Sequence, residues 1–280
     1  MISVPSMQDL LAAGVHFGHK VRRGHPKMSP YIYGAREGVH IIDLAFSESK
    51  LKEAADSAFQ FGKNGGVLLL VGTKKQARPI IKELAGEVEA PFIAERWSGG
   101  LLTNFEEIRK NIKKLLSLKE EQEKGELSRY TKKEQLLIAR KLIKFEAEMG
   151  GVAQMEKIPG AIFVVDAVSD NTAVKEAKKM GLIIFGLCDT NADPNWFDYP
   201  VPANDDGIKA IKLICETVIR AYGAGKKELG VRNEEIRVEQ EKADQKAAED
   251  ELGGKVAEET AAIEEEVEKK IVAESERKTE

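Results

Sequence analysis

The sequence predicts an α/β fold of the doubly wound type, and three observations carry that expectation. Five short runs rich in Val, Ile, Leu and Phe punctuate the first 190 residues. Their apolar character is continuous rather than alternating, as it is in strands covered on both faces. Between them lie stretches whose apolar residues recur at helical spacing, and a 280-residue chain that is 42% hydrophobic has enough apolar mass for a sizeable core.

Taken in order, the runs "VHIID" (39–43), "GVLLLVGT" (66–73), "APFIAERW" (90–97), "AIFVVDA" (161–167) and "LIIFGLCDT" (182–190) read as buried parallel strands. The helical stretches are "SESKLKEAADSAFQFGK", "KKQARPIIKELAGE", "NTAVKEAKKMG" and "NDDGIKAIKLICETVIRAYG", with Ser47, Asn171 and Asn204 placed as N-caps. Residues 104–150 break the alternation with two long amphipathic stretches joined by "ELSRY". Ile108, Ile112, Leu115, Leu116 and Leu118 on the first are set to face Leu136, Leu137, Leu142, Ile143 and Phe145 on the second, which predicts an inserted antiparallel helical hairpin, a short coiled coil. The domain expectation is therefore an α/β body over 1–103 and 151–225, a hairpin over 104–150, and a tail over 226–280. The tail is rich in Glu, Lys and Ala and has no aromatic residue, so it reads as disordered or loosely helical.

Charge is unevenly spread. Residues 231–280 carry 17 acidic and 9 basic side chains, which makes the tail acidic and leaves the rest mildly basic despite a net charge of −4. The whole-chain balance therefore does not argue against a polyanionic partner. Cys188 and Cys215 are far apart in apolar runs, offering neither a disulfide framework nor a paired metal motif, which fits a cytoplasmic setting. The N-terminal stretch lacks the pattern of an export signal, and no window approaches the roughly 20 apolar residues of a membrane span.

The loops limit which chemistry is open to the chain. No G-x-G-x-x-G and no G-x-x-x-x-G-K-[ST] follows a strand, so a nucleotide cofactor is not expected. No nucleophile elbow or acid–base motif appears either, and the chain is not expected to be an enzyme. "VHFGHKVRRGHPKM" (15–28) holds three of the four histidines, and it poses a choice between a metal site and a phosphate-docking loop. No cysteine lies near, and cations are interleaved with the imidazoles; His16 or His19 joining Asp189, Asp193, Asp205 or Asp206 stays open at this point.

Basic loops are the stronger signal. The first combines Lys20, Arg22, Arg23, Lys27 and Arg36 with Tyr31 and Tyr33, the second has Lys74, Lys75 and Arg78 after Thr73, and the third has Arg96 and Trp97 before a Gly-Gly bend, then Arg109 and Lys110. Cations neutralise phosphates, planar groups stack on bases, and glycines allow close approach of a strand, so together the loops point to RNA.

Five ordered blocks then carry a resemblance: "LLAAGVHFGHKVRRGHPKMSPYIYGAREGVHIIDL", "LLLVGTKKQA", "RWSGGLLTNFEEIRKNIKKL", "PGAIFVVDAVSDNTAVKEAKKMGLIIFGLCDTNADP" and "VPANDDGIKAI". Over about residues 6–225 the sequence resembles the bacterial-type family of small-ribosomal-subunit protein two. The resemblance implies a flavodoxin-like three-layer α/β/α fold of five parallel strands with a protruding helical hairpin. It also implies binding to small-subunit ribosomal RNA where head meets body, help in recruiting small-subunit protein one for messenger RNA capture, and no catalysis or cofactor. By position it adds Thr103 and Asn104 to the RNA-facing candidates above. Ser98 stands where many members have a larger apolar residue, and the acidic tail is longer than most.

Overall fold

The structure is a computed structural model and describes residues 4–125 and 130–232. Met1–Leu229 forms one compact unit, and Gly230–Glu280 a second of which only 230–232 are described. The tail expected from 226 therefore lies mostly outside the described residues.

In chain order the elements are α1 (Met7–Ala12), β1 (Phe17–Lys20), β2 (Ile32–Arg36), β3 (Val39–Ile42), α2 (Leu44–Lys63), β4 (Leu68–Val71), α3 (Arg78–Val88) and β5 (Phe92–Ile93). They continue with α4 (Phe105–Glu123), α5 (Lys132–Met149), β6 (Ala161–Val164), α6 (Asn171–Lys179), β7 (Ile183–Cys188), β8 (Tyr199–Pro202) and a last helix, α7, from 208 to 232. Local chemistry sets several starts: Ser6 with Asp9 and Thr131 with Glu134 form reciprocal capping boxes, and the Asp43 carboxylate accepts from Ala45 N at 2.9 Å.

Five strands form one parallel sheet in the order β5-β4-β6-β7-β8. Numbered within the sheet, this is the 2-1-3-4-5 order of flavodoxin-like folds, in which the direction of winding reverses between the first and third strands. The period of two along each strand divides the core. Leu68, Leu70, Phe163 and Phe185 pack with α2, α3 and α7, whereas Leu69, Val71, Ile162, Val164 and Ile184 pack with α6 and with Ile112 and Phe145 of α4 and α5. These strand residues are essentially inaccessible, and each contributes about 1.5–3 kcal/mol by leaving water.

The structure corrects several expectations. Residues 39–43 do not enter the parallel sheet: β3 is the centre of a separate antiparallel sheet, β1-β3-β2. The fifth parallel strand is instead β8, "YPVP", whose two prolines lack amide donors and are tolerated because β8 is an edge. Ser47 lies inside α2, where its buried hydroxyl donates to Pro202 O at 2.6 Å, and Asp43 is the cap. Asp170, not Asn171, precedes α6, while Asn204 shapes a turn by accepting from Asp206 N and Gly207 N. In α5, Leu142 and Phe145 are buried as expected, but Leu136, Leu137 and Ile143 are exposed because they sit about 100° or more around the helix from that stripe.

Candidate nucleic-acid interface

All five parallel strands end on one edge of the sheet, and the loops that leave them hold Lys74, Lys75, Arg78, Arg96, Trp97, Thr103 and Asn104. Thr73–Arg78 follows β4, Glu95–Asn104 follows β5, Asp166–Asp170 follows β6, Thr190–Asp193 follows β7 and Asp205–Asp206 follows β8. Open α/β sheets bind ligands in the crevice at this carboxyl edge, where the strand order reverses.

The opening loop is pinned to the same edge. His25 N donates to Thr190 O at 2.7 Å, His19 N to Thr190 Oγ1 at 2.8 Å, and Lys27 Nζ pairs with Asp193 at 2.8 Å. Val21 N donates to Gly38 O at 3.0 Å, which brings the β2–β3 hairpin tip, and with it Arg36, beside the short 3-10 turn of Val21–Arg23. That tip turns through Glu37 and Gly38, both at positive φ, as a two-residue hairpin of type I′ requires. Three loops legible as basic in the sequence thus meet at one end of the sheet.

Their cations fall into two sets. Lys20, Arg22, Arg23, Arg36, Lys75 and Arg96 are exposed and form no ion pair among the described residues; Arg109 is half-buried and also unpaired. The others are committed. Lys74 lies 2.8 Å from Asp205, 2.6 Å from Asp206 and 3.5 Å from Asp166. Burial alone would lower its pKa, but the hydrogen bonds to Asp205 and Asp206 outweigh it and hold the ammonium charged. Arg78 donates to Thr73 O at 2.9 Å and pairs with Glu95. Lys110 pairs with Glu107 one helical turn away, an exposed contact worth little.

Trp97 is buried in the core, with its indole N–H bonded to Glu176 at 3.1 Å, so its ring is not a free stacking surface. The Thr103 hydroxyl also reaches Glu176, at 3.2 Å. Asn104 is exposed, and its side chain makes no cap to α4. Tyr33, on the edge strand β2, is 81% exposed, whereas Tyr31 packs partly into the core.

Under the basic rim lies an acidic floor of Asp166, Asp170, Asp189 and Asp205, each buried. Burial, with Asp189 and Asp166 nearby, lifts Asp205 to a pKa of about 7, and burial lifts Asp170 to about 6 against its bonds from Thr73. His19 stands over this floor: its Nδ1 is 3.2 Å from Asp189 and its Nε2 3.6 Å from Asp206. The Asp189 contact raises its pKa in spite of burial. Of the alternatives open for the histidines, the geometry brings only His19 to the distal aspartates. His19, Asp205 and Asp206 offer ligand atoms within 4.8 Å of one another, a donor set suited to a divalent cation, although Lys74 shares both carboxylates. The remaining imidazoles shape the loop: His25 Nδ1 accepts from Lys27 N, His16 packs on Phe17, and the His40 ring fills the space beside Gly24.

Sequence reasoning missed Glu176 altogether. It sits in "KEAKK" and reads as a solvated charge, yet it lies on the stripe of Ala173 and Ala177. An acid at that spacing within an apolar face is the signal that could have found it. No helix among the described residues is long and apolar enough to cross a membrane.

Comparison with known proteins agrees with this architecture. A family model described as Ribosomal protein S2 matches residues 10–225. Similar curated proteins, each named Small ribosomal subunit protein uS2, include one from Amoebophilus asiaticus, 43% identical over 89% of this chain and 79% of its own length. Those from Nitratiruptor sp. and Fusobacterium nucleatum are each 42% identical, over 88% and 89% of this chain and 91% and 100% of their own. A sheet of 2-1-3-4-5 order, a family model matched over residues 10–225 and relatives more than 40% identical over 79% or more of their own length lead to one conclusion: the chain belongs to the ribosomal protein S2 family.

Proposed function

We propose that this chain, a structural and non-enzymatic constituent of the small ribosomal subunit by its family, binds small-subunit ribosomal RNA through the carboxyl edge of its parallel sheet. One observation carries the reading: Lys20, Arg22, Arg23 and Arg36 are gathered by the Val21–Gly38 bond at an edge anchored to β7, and all four are exposed and form no ion pair among the described residues. Unpaired cations held in fixed positions are what a phosphate backbone recognises. Lys75, Arg96, Asn104 and Arg109 extend the contact over the neighbouring strand ends. Lys27, Lys74, Arg78, Trp97 and Thr103 hold the loops, and Lys110 lends charge from the surface of α4.

In the same reading the chain sits on the ribosome in the cytoplasm, where the head of the subunit meets the body, and helps seat small-subunit protein one. The two helices of 104–150 act as an inserted coiled coil; Ile112 and Phe145 at their base, and the Lys119–Glu146 pair at 2.8 Å, support that role. The test is titration of the full chain with full-length small-subunit ribosomal RNA at increasing salt. A linear fall of log affinity with log salt is expected, and binding that ignores salt would refute the proposal.

A further inference from the structure

The loop between β5 and α4 has almost no structure of its own. "SGG" supplies two glycines, Gly100 is at φ 88°, and only Leu101 N to Ser98 O and Asn104 N to Gly100 O close local turns. What shapes it is a carboxylate from another element. Glu176 Oε1 accepts from Trp97 Nε1 at 3.1 Å and Gly100 N at 2.8 Å, while Oε2 accepts from Leu102 N at 3.1 Å and from Thr103 N and Oγ1 at 3.2 Å.

We propose that Glu176 is a positioning residue for RNA binding: its buried carboxylate draws the donors of residues 97–103 into one bend and so presents Arg96 and the first turn of α4 to the RNA. This rests on the RNA-binding reading above. Glu176 is 8% exposed and reached by five donors, so its charge is met inside the fold and no anion is offered to the phosphates. Burial would raise its pKa, but the bonds from Gly100, Trp97, Thr103 and Leu102 more than offset that and keep it ionised. Trp97, Leu101 and Leu102 are pulled inward as the loop closes around the carboxylate, which leaves Arg96 facing solvent at the strand end. Without the acceptor, the amides of Gly100, Leu102 and Thr103 lose the partner they share, and the bend is left to the two turn bonds at Leu101 and Asn104.

The test compares the full-length wild-type chain, Arg96→Ala, Glu176→Gln, Glu176→Asp and the Arg96→Ala/Glu176→Gln double variant, each titrated with full-length small-subunit ribosomal RNA. Glutamine keeps the size but turns an NH2 group toward N–H donors; aspartate keeps the charge and gives up one methylene. Glu176→Gln is expected to weaken binding about fivefold at 0.15 M salt and to flatten the salt dependence by about one unit, the mark of one lost phosphate contact. Glu176→Asp is expected to restore part of that loss. The double variant should bind no worse than Glu176→Gln alone, since a misplaced Arg96 has no contact left to lose. Amide hydrogen exchange at residues 100, 102 and 103 should rise in both single Glu176 variants while protection in β4 and β6 stays at wild-type levels. If Glu176→Gln does not fold, Glu176→Asp carries the comparison.

Wild-type affinity in a folded Glu176 variant whose loop amides have lost protection, unchanged loop protection, or additive losses in the double variant would overturn the inference. Failure of the wild type itself to bind the RNA would instead overturn the RNA-binding reading.

Discussion

Replacing Arg22 and Arg23 together by Ala probes the interface where it is least entangled with the fold. Both side chains are exposed on a three-residue turn and neither has an ion-pair partner among the described residues, so their removal leaves no buried group unsatisfied. A cation that neutralises one phosphate contributes about 0.9 to the slope of log affinity against log salt, so losing two flattens it by about 1.8. If the variants converge at 1 M salt, where the electrostatic contribution vanishes, that slope corresponds to about 30-fold weaker binding at 0.15 M. The assay is titration of full-length small-subunit ribosomal RNA at four or five salt concentrations, with Lys replacements at 22 and 23 as the charge-preserving control. Replacing the tail residues Lys269 and Lys270 by Ala should leave the slope unchanged. An unaltered slope for the Arg22/Arg23 variant, or an equal loss from the tail pair, would refute the reasoning.

Other predictions concern the floor and the helix layer. Lys74→Met strands Asp166, Asp205 and Asp206 without their cation and is expected to cost about 3 kcal/mol at pH 8. That loss should shrink below about pH 7, where Asp205 takes up a proton; denaturant unfolding at pH 8 and 5.5 checks this, and equal losses contradict it. Asp170 has a folded pKa of about 6 against 3.8 when unfolded, so the folded state binds more protons in that window and stability falls as pH rises through it. Asp170→Asn should flatten that part of the stability–pH curve, and an unchanged curve would count against the assignment. A Cβ at Gly225 would strike the Phe59 carbonyl where α7 crosses α2, so Gly225→Ala should destabilise the chain by about 1–3 kcal/mol; a variant that melts like the wild type would show that the helices can separate freely.

The parallel strands were legible where burial on both faces leaves a continuous apolar run, as in "LLLV", "AIFV" and "IIFGLC". β8 was hidden because its prolines argue against a strand, and only its edge position makes them acceptable. The run at 39–42 looked parallel because hydrophobicity does not encode strand direction; its partners, β1 and β2, are short and half-exposed, too polar to announce themselves. Charge alone singled out the basic loops, but it could not separate Lys74, held by three aspartates, from Lys75 beside it, which is exposed and forms no ion pair among the described residues. Nor could composition distinguish Trp97 as a buried anchor from an exposed stacking group, since that depends on an acid 79 residues away in the sequence.

A density map of the small ribosomal subunit carrying this chain tests the central claim most directly. The account predicts that the carboxyl edge of the five-stranded sheet faces ribosomal RNA, with the guanidinium groups of Arg22, Arg23, Arg36 and Arg96 within about 4 Å of phosphate oxygens. A map in which that edge faces solvent, while RNA lies against the opposite end of the strands, would contradict it.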